Sequence, residues 1–448
     1  MRPPFSSGES FARHFSEREL QEVIDLHLTE NVARGVDGTD YDKFLASRDK
    51  EVRLIRQRAL AGAYKFSPYR QKLLLKNASS PPRQVSIPTL RDRVTLRALN
   101  NFLASMFSEC RPQHAHPVIS SVLRSVETMR DDDCFIKLDI QSFYDAVSHD
   151  VLMRNLRSKI RTAPPLTLIL SALKTPTGTT VAENASNDLG IPQGLSISNM
   201  LASIYLRSVD SQYEQELGLK YHRYVDDILC IVSENEAKLM ATAIIKTLKL
   251  KKKLTCHPLG TGKSQITEPD SSVSYLGYAI SREKISVRAT TEKKLMSSIM
   301  EIIHGTKPTE WRRALWRVNL RITGCKISGA NVGWIFYFSQ IDDLSLLAKM
   351  DAQIKSAVIA RLGGQAASEL KRLLKAYHQA KFNHRESNYY PDFGTYTREE
   401  MESHLELLAP QRYRNLALKT DAQITRIFGA SVWREVKRME RDTLGSFS

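Results

Sequence analysis

Apolar and polar positions alternate with period two across 134–140, which sets Ile136, Leu138 and Ile140 on one face of a strand and Lys137 with Asp139 on the other. A second strand signal is the unbroken apolar run Ile228-Leu229-Cys230-Ile231-Val232, which follows a shorter strand at 221–224. Upstream, 71–76 and 84–87 predict two strands around the turn-forming Asn77-Ala78-Ser79-Ser80-Pro81-Pro82. Helical spacing appears at 91–106, through Leu96, Leu99, Phe102, Leu103 and Met106, and a polar helical stretch with Leu20, Val23, Ile24 and Leu26 precedes it. From 289 onward the strand signals fade. Leu295, Ile299 and Ile303 form one stripe; Leu347, Met350, Ile354, Val358 and Leu362 form another that stops at Gly363-Gly364, and further helices are predicted at 369–381, 399–408 and 421–439. The pattern is α+β, and its changes divide the chain at 1–125, 126–288 and 289–448.

The candidate chemistry lies between the strands. Tyr224-Val225-Asp226-Asp227 places two adjacent carboxylates at a predicted hairpin tip. An Asp pair by itself marks a turn, because Asp hydrogen-bonds its own backbone there. Asp139, at the end of the alternating strand, adds a third carboxylate. If the two strands are neighbours in a sheet, three oxygen donors gather where two Mg²⁺ ions could bind, since Mg²⁺ takes a few carboxylates together with waters and substrate phosphates.

These segments resemble the reverse transcriptases, in order and spacing. Asp139-Ile140-Gln141-Ser142-Phe143-Tyr144 resembles the first catalytic motif, Gly190-Ile191-Pro192-Gln193-Gly194-Leu195-Ser196 the template-gripping motif, and Tyr224 to Asp227 the Tyr-X-Asp-Asp box. Ser274-Tyr275-Leu276-Gly277-Tyr278 is similar to the hairpin that steadies a primer end, and Arg83 with Ile87-Pro88 to the fingers segment ahead of the palm. The resemblance covers about residues 60–290 and implies a right-hand polymerase: fingers and palm, a helical thumb and an extended all-α C-terminal region.

It also implies roles. Asp139, Asp226 and Asp227 become the catalytic carboxylates, and with the Ile140 carbonyl the ligands of two Mg²⁺ ions, Mn²⁺ being the alternative. Lys76, Arg83, Tyr144, Gln193 and Lys263 become nucleotide contacts, with Tyr144 in the steric-gate position that favours deoxynucleotides. Gly190, Pro192, Gln193, Gly194, Tyr224, Tyr275, Leu276 and Gly277 become template or primer contacts, the two glycines letting backbone approach a nucleic acid strand closely. The implied activity is RNA-directed DNA synthesis from deoxynucleoside triphosphates. The wording Gly194-Leu195-Ser196-Ile197-Ser198 and the long helical C-terminal region resemble bacterial antiphage-defence enzymes, which implies a structured noncoding RNA as template and partner and cDNA as product. The alternatives are a retron or group II intron-type enzyme, a template-independent or protein-primed polymerase, and an RNA-binding scaffold with a vestigial palm.

Composition narrows the classes. Lys and Arg number 65 against 49 acidic residues, a formal net charge of +16 that suits a polyanionic partner. No run approaches the ~18 apolar residues of a membrane span, and the first eight residues lack the apolar centre of a signal peptide, so a cytoplasmic protein without membrane partners is expected. Five scattered cysteines without Cys-x-x-Cys spacing favour neither zinc nor disulfides. Gly260-Thr261-Gly262-Lys263-Ser264 resembles the end of a phosphate-binding loop, but His257 stands where that pattern needs its first glycine.

Overall fold

The computed structural model describes residues 6–29, 32–74, 82–178, 186–327, 329–409, 413 and 415–443. Chain contacts form two compact units, residues 1–114 with 130–269, and residues 115–129 with 270–448. No helix among the described residues is long and apolar enough to cross a membrane.

In the first unit, β1 (Arg70–Leu74) and β2 (Arg83–Ile87) form an antiparallel hairpin with Leu74 opposite Arg83. The segment between them, with Lys76, lies outside the described residues. The helix Leu90–Met106 follows, capped by the Thr89 hydroxyl and burying the expected stripe.

The main sheet is four-stranded and antiparallel. It is built from β3 (Asp133–Asp139), β4 (Lys220–Tyr224), β5 (Asp227–Ser233) and β6 (Gln265–Thr267) in the order β4-β5-β3-β6. The alternation of β3 predicts one packed and one working face, yet all seven of its residues are buried. Lys137 and Asp139 therefore carry their charges at 9% and 8% exposure. Ile228 to Val232 on β5 are each at most 1% exposed, and burying each such side chain is worth about 1.5–3 kcal/mol. Both faces of β5 are buried, so its register is set by the tight turn from β4 and by the ladders to β4 and β3. The helix Glu234–Lys252 covers β3 and β5, and the helix Ser198–Tyr213 packs against it and against β4.

In the second unit, β7 (Val273–Tyr275), β8 (Tyr278–Ile280) and β9 (Ile285–Val287) form an antiparallel sheet. Helices follow at Ala289–Gly305, Trp311–Thr323, Leu344–Leu362, Leu373–Phe382, Arg398–Leu408 and Asp421–Thr443. The two stripes read from sequence are the buried faces of Ala289–Gly305 and Leu344–Leu362. The helix predicted to open at 369 opens at Leu373, because the Asp351 carboxylate accepts the Leu373 and Leu374 N–H groups at 2.6 and 3.1 Å and caps it there. One hairpin interrupts the helical region: β10 (Cys325–Ile327) pairs with β11 (Ala330–Val332). Strands of three residues are too short to show a period, so the sequence pattern misses them. All five cysteines are free and buried.

Candidate active site

Register brings the carboxylates together. In the β3–β5 ladder Asp139 pairs with Asp227, and in the β4–β5 ladder Tyr224 pairs with Asp227. Val225 and Asp226 form the two-residue turn between β4 and β5. Val225 holds φ +55°, at the turn position where glycine is favoured; a β-branched residue there carries strain of about 1–3 kcal/mol. The Ile140 N–H donates to the Asp226 carbonyl at 3.3 Å, which ties the turn to the end of β3.

The three carboxylates share one electrostatic environment. Burial pushes the Asp226 carboxyl up, and Asp139 adds to this, while Arg83 and Lys263 oppose it. Burial pushes Asp227 up to about 7, with Asp226 and Asp139 adding and Lys137 and Lys263 opposing. Lys137 Nζ stands 3.9 Å from Asp227 Oδ1. Burial and mutual repulsion thus outweigh the nearby cations at both acids. Among the described residues no group of three His, Cys, Asp or Glu side chains forms a ready-made metal cage.

Asp139 is held on every side. Its Oδ2 accepts from Lys263 Nζ at 2.8 Å and lies 3.9 Å from His257 Nε2. Its N–H donates to Ser264 Oγ at 3.1 Å, and its carbonyl accepts the His257 N–H at 2.9 Å. The Gly-Thr-Gly-Lys-Ser stretch thus places its Lys against the Asp139 carboxylate and its Ser against the Asp139 backbone N–H. Sequence reasoning missed Ser264 and His257, because they are brought to Asp139 by β6, a strand of three residues that pairs with β3 and shows no period.

The template-gripping segment locks onto its own chain. Gly190 (φ +89°) donates its N–H to the Val147 carbonyl at 2.8 Å, and an added Cβ would meet the Tyr144 carbonyl at 3.0 Å. Gly194 (φ +97°) leaves no room for a Cβ, which would come within 2.6 Å of Val85 Cγ1. The Gln193 carbonyl accepts the Ser86 N–H at 2.7 Å, and the Pro192 carbonyl accepts from Ser198 Oγ at 2.6 Å. The space that a Cβ would need at either glycine is taken by this chain itself, by the Tyr144–Asp145 backbone at Gly190 and by Val85 with the Ser86 backbone at Gly194. Tyr144 packs beside Phe143, donates its hydroxyl to Asn199 Oδ1 at 2.6 Å, and is pushed up to about 12, by burial first and then by Asp226. Arg83 acts on both Tyr144 and Asp226, which brings β2 to the same site. Burial and Asp226 likewise raise Tyr224.

Tyr275, Leu276 and Gly277 belong to the second unit. Leu276 and Gly277 make the β7–β8 turn, both with positive φ, as a tight hairpin requires. Tyr275 and Leu276 are buried at 0% and 2% exposure. The Leu276 carbonyl accepts from the Tyr337 hydroxyl at 2.9 Å, so these side chains and that carbonyl serve the unit's own packing.

Residues 74–280 match the family described as reverse transcriptase (RNA-dependent DNA polymerase). The chain is 24% identical over 361 residues to Protein YkfC of Escherichia coli (strain K12), covering 68% of this chain and 90% of that protein. It is 25% identical over 223 residues to the group II intron-encoded protein LtrA of Lactococcus lactis, covering 47% of this chain and 36% of LtrA. Apo telomerase from Candida tropicalis superposes with a TM-score of 0.44 at 12% identity, covering 85% of this chain and 67% of that one.

Proposed function

We propose that this chain, which carries a reverse transcriptase domain over residues 74–280, synthesises DNA on an RNA template by nucleotidyl transfer at Asp139, Asp226 and Asp227. The observation that carries the reading is the pairing of Asp139 with Asp227 beside the Asp226 turn. The donor set fits Mg²⁺ or Mn²⁺: it is all oxygen, and burial together with mutual repulsion raises two of its carboxyls, which cations would relieve. A closed protein cage is not required, because Mg²⁺ keeps waters and takes substrate phosphates as ligands. Asp139, Asp226, Asp227 and the Ile140 carbonyl would hold the ions. Bound there, the ions would supply charge neutralisation at the triphosphate and acidify the attacking primer hydroxyl.

The remaining groups bind and orient. Arg83 meets the triphosphate as a bidentate fork, and Lys76 adds a point charge. Tyr144 lies under the sugar and excludes a 2′-hydroxyl, Gln193 faces the nucleotide and template, and Lys263 turns from Asp139 to phosphate. Gly190, Pro192, Gly194 and Tyr224 support the template side, and Tyr275, Leu276 and Gly277 the primer end. Fingers at 1–125 and palm at 126–288 then fall mainly in the first unit, and thumb and C-terminal region at 289–448 in the second, which also takes in 115–129 and 270–288.

The test is deoxynucleotide incorporation on an RNA template by the purified full chain with Mg²⁺. Asp139→Asn, or Asp226→Asn with Asp227→Asn, should reduce it to below about one-thousandth while RNA binding and melting are retained. Retained incorporation in either variant overturns the assignment. At finer grain, the template is a structured noncoding RNA and the setting is cytoplasmic antiphage defence in a bacterium. The Gly194-Leu195-Ser196-Ile197-Ser198 wording and the helical second unit support this. Sequencing nucleic acids that copurify before and after phage challenge tests it: a discrete RNA with its cDNA supports it, and bulk RNA alone refutes it. The similarity to LtrA favours an intron-type enzyme as the second reading.

A further inference from the structure

We propose that Asp210 and Arg223 form a positioning strut that sets the plane of the peptide bond entering Asp226, and so determines the rate of the chemical step without touching substrate. The inference rests on the polymerase reading above. Asp210 lies near the C-terminal end of the helix Ser198–Tyr213, and Arg223 on β4, two residues before Val225.

The guanidinium makes a two-point fork on the carboxylate, Nε to Oδ1 at 2.7 Å and Nη2 to Oδ2 at 2.6 Å. Its remaining arm, Nη1, donates to the Val225 carbonyl at 2.8 Å. Both side chains are nearly closed to water, at 10% and 8% exposure. Tyr221 reinforces the carboxylate by donating its hydroxyl to Oδ1 at 3.0 Å. The ring of Tyr221 stacks on Tyr213 of the same helix at 6.0 Å between centroids, and the Tyr213 hydroxyl pairs with Thr247 Oγ1 at 2.8 Å on the helix behind. The strut is therefore anchored in two helices.

The turn supplies the reason for it. Val225 stands at φ +55°, a backbone conformation that an unbranched or absent side chain would adopt more readily. Left to itself, the turn would relax by rotating the peptide between Val225 and Asp226, and that rotation would swing the Asp226 carboxylate. The Val225 carbonyl belongs to that very peptide. Arg223 on Val225 and the Ile140 N–H on Asp226 fix the two carbonyls of the turn, from opposite sides of β5. A lysine cannot replace the arginine, because a single ammonium on a flexible stem does not reproduce a planar fork with a third, diverging donor.

The experiment is steady-state incorporation by the full chain with Arg223→Lys, and with the neutral pair Asp210→Asn plus Arg223→Gln, which leaves no orphaned buried charge. Melting, RNA affinity, KM for the deoxynucleotide and kcat are measured together. Expected in both is a 10- to 100-fold fall in kcat, KM within about twofold of wild type and unchanged RNA affinity, since misplaced Asp226 affects the transition state more than binding. Wild-type kcat in the folded neutral pair overturns the proposal. So does loss of fold in both variants, which would make the pair a simple core ion pair, and so does an equal loss of kcat and RNA affinity. An inactive wild-type chain would sink the polymerase reading instead, so the two failures are distinct.

Discussion

Mild acid should loosen the second unit, with His404 as a principal cause. His404, on the helix Arg398–Leu408, is 5% exposed and lies among aromatic rings, with centroids at 4.6 Å (Trp316), 5.2 Å (Phe428), 5.7 Å (Phe393) and 6.2 Å (Tyr396). Its Nε2 is buried without a hydrogen-bond partner. Glu435 is the acid that acts on it, and Glu435 is already engaged by Arg317 at 2.6 Å and Arg438 at 2.9 Å. Burial therefore wins, and lowers the imidazole from 6.5 to about 4. The unfolded chain takes the proton first, so this group's contribution is fully present above pH 6.5 and is lost as pH falls towards 4. At about 1.36 kcal/mol per pH unit, the loss reaches about 2 kcal/mol near pH 5 and about 3 kcal/mol at pH 4. The assay is urea unfolding of the full chain by tryptophan fluorescence, because all four tryptophans, at 311, 316, 334 and 433, lie in the second unit. Carboxylates also titrate in this range, so the informative quantity is the difference from His404→Phe, which fits the same ring cluster and takes up no proton. Wild type should lose about 2 kcal/mol more than the variant between pH 7 and pH 5. Parallel pH profiles for the two proteins would refute the argument.

Asn199→Ala removes the acceptor that holds the Tyr144 hydroxyl; losing one such bond, worth about 0.5–1.5 kcal/mol, should lower the deoxy- over ribonucleotide preference about 2- to 10-fold in competition assays. Gly194→Ala forces a Cβ to within 2.6 Å of Val85 at φ +97° and should cost about 1–3 kcal/mol of stability by calorimetry, with faster amide exchange in β2. Ile231→Ala, in the middle of β5 at 1% exposure, should cost about 2–5 kcal/mol by denaturation yet leave kcat of the folded fraction near wild type.

The strands that place the carboxylates were legible because their sequence periods are long enough to read: the alternation ending at Asp139 and the apolar run after Asp227 became β3 and β5. The stripes through Leu295 and Leu347 gave two helices for the same reason. What stayed hidden depends on residues far apart in sequence. Ser264 and Lys263 reach Asp139 across about 125 positions, through a strand of three residues. The Asp210–Arg223 fork joins a helix to a strand and has no local signature. The glycines of the Gly190–Gly194 segment signal a close backbone approach, and only the fold reveals that Tyr144 and Val85 stand where their side chains would be.

Apolar packing and polar anchoring divide the work of building this site. β5 buries five consecutive apolar side chains on both of its faces, which is worth about 7–15 kcal/mol. That equals the whole stability of a typical domain, roughly 5–15 kcal/mol, so Asp139 faces Asp227 for as long as the sheet exists. The turn has no such protection. It carries Val225 under strain, half-buried against the core, and sets the raised Asp226 carboxyl beside that of Asp227. Its geometry rests on individual bonds from Arg223 and the Ile140 N–H, each worth about 0.5–3 kcal/mol. Changes in the core should therefore act on the amount of folded protein, and changes at these anchors on what the folded protein does.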